Sequence, residues 1–67
     1  MIKVIVNKVR CRHCNDVIES KYAHDFQRCQ CGTIAVDGGT DYQRLTFKNS
    51  LEEDVDTSLS VYENNLQ

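Results

Sequence analysis

Residues 29–33 read CQCGT, and residues 11–14 read CRHC. The chain has 67 residues and four cysteines, and all four fall in these two close pairs. What the thiols do decides the fold, because little else in the chain can hold it. A domain of this size buries only about 60% of its unfolded surface and is marginal without a staple. Hydrophobic residues make up 40% of the chain, yet there is no Trp, only two Phe and three Tyr, so large core residues are scarce.

Three roles for the thiols compete. The opening MIKVIVNKVR has no long apolar run and no small-residue cleavage site, so it does not read as a signal peptide. No stretch reaches membrane-spanning length. The chain therefore reads as cytoplasmic, where structural disulfides are disfavoured. A redox Cys-x-x-Cys calls for a thioredoxin-like βαβ setting, which the pattern lacks. Two close pairs separated by a mid-length loop supply four sulfurs, the ligand set of a tetrahedral structural zinc site. The expectation is one Zn2+ held by Cys11, Cys14, Cys29 and Cys31.

The flanks agree. Turn-compatible residues surround each pair, and Gly32 can take the positive φ that a metal knuckle demands. The second pair, Cys29-Gln30-Cys31, is one residue shorter than Cys-x-x-Cys and needs a local bend to bring both sulfurs to one ion. His13 reads as an exposed knuckle residue and His24 as a half-buried strand residue, neither a ligand.

The rest reads as short strands. IKVIVNKVR is β-branched, with Ile2, Val4 and Val6 on one face and Ile5 and Val9 on the other. Over 17–27, Ile18, Ser20, Tyr22, His24 and Phe26 alternate with polar residues and predict a half-buried strand kinked at Ala23. TIAV and DYQRLTF flank DGGT, a hairpin signal that puts Leu45 and Phe47 on the inner face. The fold class is a small β-rich zinc ribbon: three to five short antiparallel strands around two Cys knuckles, over residues 1–48. Residues 49–67 form an acidic segment packed on this domain or extending from it. There Leu51, Val55, Leu59, Tyr62 and Leu66 make a helical stripe, and Ser50 with Glu53 fits a capping box. Poor helix formers at 56–61 leave TSLSVY equally readable as a strand.

Charge is polarised. Lys3, Lys8, Arg10 and Arg12 stand without an acid in residues 1–14, and Glu52, Glu53, Asp54, Asp56 and Glu63 without a base in 49–67; the whole chain is −2. General nucleic-acid binding needs a net basic face. A local patch of Lys8, Arg10, Arg12 and His13 keeps a nucleic-acid-binding zinc ribbon open as the alternative. Catalysis is not expected, because four cysteines close the zinc shell and leave no open position. DGGTD has too few oxygen ligands for a calcium loop and reads as a turn.

Three blocks in order, CRHCNDVIES, HDFQRCQCG and AVDGGTDY, resemble a family of small, uncharacterised zinc-ribbon-like proteins of phages and prophages. The resemblance covers roughly residues 9–47. It implies a cytoplasmic accessory protein in a bacterial host that binds a host or phage protein, such as a component of antiviral defence. The leading expectation is therefore a non-enzymatic protein-binding module, with Glu52, Glu53, Asp54 and Asp56 facing a basic partner. Apolar residues on both faces of IKVIV further predict a homo-oligomer through the N-terminal strand.

Overall fold

The computed structural model describes residues 2–64. The elements are β1 (Ile2–Cys11), β2 (Val17–Ser20), β3 (Gln27–Arg28), β4 (Ala35–Asp37), β5 (Arg44–Thr46), α1 (Leu51–Asp54), β6 (Val55–Asp56) and β7 (Val61–Asn64). They form two antiparallel sheets, β2-β1-β6 with β7 also on β1, and β3-β4-β5. The protein is thus small and β-rich, with one short helix among the described residues.

β1 changes face part-way. Val4 pairs with Tyr62 and Val6 with Val61, so Ile5 is the extra residue of a bulge. A bulge shifts the alternation by one. Val4 is buried before it; Asn7, Val9 and Cys11 are buried after it, and Ile5 is exposed. The sequence pattern put Val4 and Val9 on opposite faces because alternation alone cannot locate a bulge.

The predicted strand over 17–27 stops at Ser20. The Asp25 carboxylate accepts from Lys21 N at 2.9 Å and Gln27 Nε2 at 2.6 Å, and Ser20 Oγ donates to Asp25 O at 2.7 Å. These bonds close a tight turn in which His24 takes φ +69. His24 is exposed in that turn, not half-buried in a strand. The hairpin holds: Val36 pairs with Leu45 and Asp37 with Arg44. Leu45 packs on the core, whereas Phe47 is exposed.

The C-terminal stripe is not a helix. Ser50 caps α1 by accepting from Glu53 N at 3.1 Å, as its sequence context indicates. The helix then ends after Asp54, because Val55 is extended and pairs with Cys11, and Asp56 pairs with Arg10. Ladder pairing outweighs the helical spacing of Leu51, Val55, Leu59 and Tyr62; Leu66 lies outside the described residues. Ser60 replaces ladder bonds between β6 and β7, accepting from Lys8 N at 3.2 Å and donating to Lys8 O at 2.6 Å. The acidic segment is therefore woven into the first sheet.

The core lies between the sheets: Val9, Cys11, Ile18 and Val55 from one side, Cys29, Ile34 and Val36 from the other. No buried apolar residue described is larger than isoleucine, and Phe26 and Phe47 are both exposed. At the far end Asn7 Nδ2 donates to Asp37 O at 3.2 Å and Gly39 O at 3.0 Å, and Gly39 N donates to Ser20 Oγ at 2.8 Å. Gly39 has φ +57, and a Cβ there would overlap the Tyr22 backbone, so only glycine fits.

Candidate metal centre

Cys11 ends β1 and Cys14 sits in the turn that follows. Asn15 N donates to Cys11 O at 2.9 Å, with Asn15 at φ +62, so the chain folds back within five residues. Cys29 and Cys31 occupy the β3–β4 connection. Gly32 N donates to Cys29 O at 3.0 Å with Gly32 at φ +80, the bend that the short Cys-x-Cys spacing requires. Backbone N–H groups face the sulfurs: His13 N lies 3.4 Å from Cys11 Sγ and Ile34 N 3.4 Å from Cys29 Sγ. Asp16 joins the two turns by accepting from Gln30 N at 2.9 Å.

The four Sγ atoms all lie within 4.8 Å of one another. Cys31 Sγ is 3.6 Å from both Cys11 Sγ and Cys29 Sγ. A tetrahedron with metal–sulfur bonds of about 2.3 Å has edges of roughly 3.8 Å. A disulfide would need about 2.0 Å, and all four cysteines are free. The cluster has the dimensions of a metal-thiolate site and not of two disulfides. The four cysteines grade from buried Cys11 and Cys29 through half-buried Cys14 to exposed Cys31. Burial pushes the Cys11 thiol up to about 11. The Thr33 hydroxyl and backbone N–H hold Cys31 down to about 6. Thr33 Oγ1 sits 3.1 Å from Cys31 Sγ, a contact the sequence signals only as a hydroxyl after the glycine.

A second layer supports the first knuckle. His13 Nε2 lies 2.7 Å from Asp54 Oδ1. Asp54 is fully buried, and its carboxylate also accepts from Lys48 N, Asn49 N and Asn49 Nδ2 at 2.7–3.1 Å. The Asn49 N–H first, then His13, hold the Asp54 carboxyl well below the usual carboxylate range. Arg12 N donates to Asp54 O at 2.9 Å, and Arg10 pairs with Asp56 at 2.7 Å.

These contacts relocate the residues first assigned to partner binding. Asp54 and Asp56 are buried in the protein's own structure; only Glu52 and Glu53 of the four acids face solvent. The basic patch is partly spent as well. Arg10 is bound to Asp56, Arg12 Nε donates to Val55 O at 3.3 Å, and His13 is engaged by Asp54, while Lys8 is half-buried. Two pairs join the basic and acidic segments, Arg10 with Asp56 and His13 with Asp54.

Residues 3–47 match the model of a domain of unknown function, DUF7695, and the chain belongs to that family. The match includes all four cysteines, Asn7 and the double-glycine connection, and ends before Asp54. No curated protein and no solved structure matches the chain. No helix among the described residues is long and apolar enough to cross a membrane.

Proposed function

We propose that the protein is a non-enzymatic, zinc-stapled binding module of zinc-ribbon type whose partner is another protein. The observation that carries this reading is the sulfur cluster: four Sγ atoms within 4.8 Å, two at the end of β1 and two in the β3–β4 turn. One tetrahedral ion there ties the two sheets together. The core it supplements has no buried aromatic side chain among the described residues. Structural zinc binding contributes on the order of 10 kcal/mol of folding energy. That exceeds what a core of valine and isoleucine supplies in a domain this small. Four thiolates fill the coordination shell, so the ion's role is structural and substrate has no open position to enter.

The sequence resemblance to phage and prophage proteins supports a host or phage protein as the partner, met in the bacterial cytoplasm. The nucleic-acid alternative is less well supported, because three of its four proposed contacts already bind groups within the chain.

Native mass spectrometry and elemental analysis of the purified chain test the staple. One zinc per chain is expected, with no disulfide. Cys11→Ser and Cys29→Ser should each lose the metal and unfold, whereas His24→Ala should keep it. Iron in place of zinc, or a folded metal-free protein, refutes the zinc assignment.

A further inference from the structure

The β3-β4-β5 sheet has one face on the core; its other face carries exposed side chains on the two outer strands around a buried Ala35. Register assigns them. Gln27, Val36 and Leu45 share the inner face, with Val36 and Leu45 packed in the core. Arg28, Ala35 and Thr46 stand in a row on the outer face, and Asp37 and Arg44 form the next row. Arg28, Arg44 and Thr46 are all exposed.

Each arginine on this face is held by an aromatic ring. The Arg28 guanidinium lies 5.5 Å from the centroid of Phe26, and that of Arg44 lies 5.7 Å from Tyr42. Arg28 Nη1 also donates to Gly32 O at 3.2 Å. Phe26 remains 52% exposed beneath this guanidinium. The arginines occupy the two outer strands, with only the Ala35 methyl between Arg28 and Thr46. Two strand spacings across and two residues along put Arg28 and Arg44 roughly 12 Å apart at Cα. The one acid in these rows, Asp37, is half-buried and accepts from Gly38 N at 2.8 Å.

We propose that this outer face, built on Phe26, Arg28, Tyr42 and Arg44, is the docking surface for an acidic segment of a partner protein. The inference rests on the binding-module reading and names its surface and partner chemistry. Charge complementarity sets the sign: in these rows the exposed Arg28 and Arg44 outnumber the half-buried Asp37, in a chain that is net −2. Composition sets the class. Arginine and aromatic residues are enriched where protein interfaces concentrate their binding energy. Arginines already stacked on rings lose less freedom on binding. A phosphate backbone fits less well, because its affinity grows with each neutralised charge and this face offers two guanidinium groups. The recognition surface is thus opposite in sign to the acidic segment, half of whose named acids are buried.

The test uses the zinc-loaded full chain as bait for a displayed library of random peptides, with oligo(dT) as a separate probe. Enriched peptides should carry Asp or Glu beside an apolar residue. Arg28→Glu, Arg44→Glu and Phe26→Ala should each weaken their binding by about tenfold or more. Zinc stoichiometry and far-UV circular dichroism should not change. Arg44 makes no side-chain hydrogen bond among the described residues, so Arg44→Glu stays informative even if Arg28→Glu disturbs the Gly32 turn. Enriched peptides that respond to Glu52→Gln with Glu53→Gln, and not to the arginine variants, overturn this surface while leaving the module reading intact. No enrichment at all overturns both. Oligo(dT) binding at about 150 mM salt that Arg44→Glu abolishes replaces the acidic protein with nucleic acid.

Discussion

Replacing Asn7 by alanine deletes the polar link between the sheets without touching the cysteines. Asn7 is 1% exposed. Its Nδ2 faces three carbonyls, Gly39 O at 3.0 Å, Asp37 O at 3.2 Å and Tyr42 O at 3.4 Å, and its Oδ1 accepts from Gln43 Nε2 at 2.7 Å. One amide group has two N–H protons, so the two shorter carbonyl bonds count as the main ones. Each buried carbonyl left without a donor costs about 1–3 kcal/mol. Gln43 keeps a second acceptor in Ser60 Oγ at 3.0 Å and adds little to the loss. The total is roughly 2–6 kcal/mol, from two carbonyls at that cost. A domain of this length holds about 3–10 kcal/mol altogether. Domains of this size shift by about 4–8 °C per kcal/mol. Asn7→Ala should therefore melt at least about 8 °C below the parent. The assay is a thermal melt of the zinc-loaded protein by circular dichroism, with metal content measured on the same sample. A melt within about 4 °C of the parent would mean that water replaces the amide and that the apolar cluster and the metal alone join the sheets.

Three further outcomes are expected. The Arg10 guanidinium, with Ser58 beside it, holds the Asp56 carboxyl below its ordinary range, so the native protein resists protonation there more than the unfolded chain does. The stability this supplies is complete above the ordinary carboxylate pKa of about 3.9 and is lost as pH falls through the depressed native value. In urea melts the gap between parent and Asp56→Asn should be full at neutral pH and shrink below about pH 4; a gap that persists in acid refutes the ion pair's role. Ile5 is 41% exposed on the bulge of β1. If copies associate through this strand, Ile5→Lys should turn an oligomer into a monomer by light scattering, and an unchanged mass moves the interface elsewhere. Glu52 and Glu53 are exposed and make no side-chain contact described here; changing both to Gln should leave the melting temperature within a few degrees, since exposed charges contribute little.

The cysteine spacing made the site legible, and hydrophobic alternation made most of the strands legible. CRHC and CQCGT pointed to four candidate ligands, and the structure brings all four sulfurs together. DGGT located the hairpin. Long-range polar contacts were what the sequence could not display. Asp54 and Asp56 read as partner-facing acids, yet they bind His13 and Arg10, 41 and 46 residues away. Ser50 and Glu53 correctly marked a helix start, but its end depended on Val55 finding Cys11, a pairing across 44 residues. The Ile5 bulge reversed the face assignment along β1 for the same reason. Asn7, a polar residue within the apolar first strand, bonds to Asp37 O and Gly39 O across the sheets.

The two sheets are fastened at opposite ends of one small apolar cluster. Asn7 and Cys11 sit four residues apart on β1, roughly 13 Å in an extended strand. Asn7 and Ser20 grip the double-glycine connection at one end, and the sulfurs of Cys11, Cys14, Cys29 and Cys31 converge at the other. Between them lie Val9, Ile18 and Val36. Neither fastening needs a large side chain in the core, which accounts for a chain that leaves both phenylalanines in water. It also bears on recognition. A three-stranded sheet pinned at both ends presents its outer face with little freedom to lose, so Arg28 and Arg44 can meet a partner at small ordering cost. The cysteine cluster adjoins the proposed docking face: Cys29 follows Arg28 directly, and Gly32 O, in the second cysteine turn, accepts from the Arg28 guanidinium. If the cluster holds an ion and this face docks a partner as proposed, loss of the ion would release the turn that aims Arg28 and weaken partner binding through that residue.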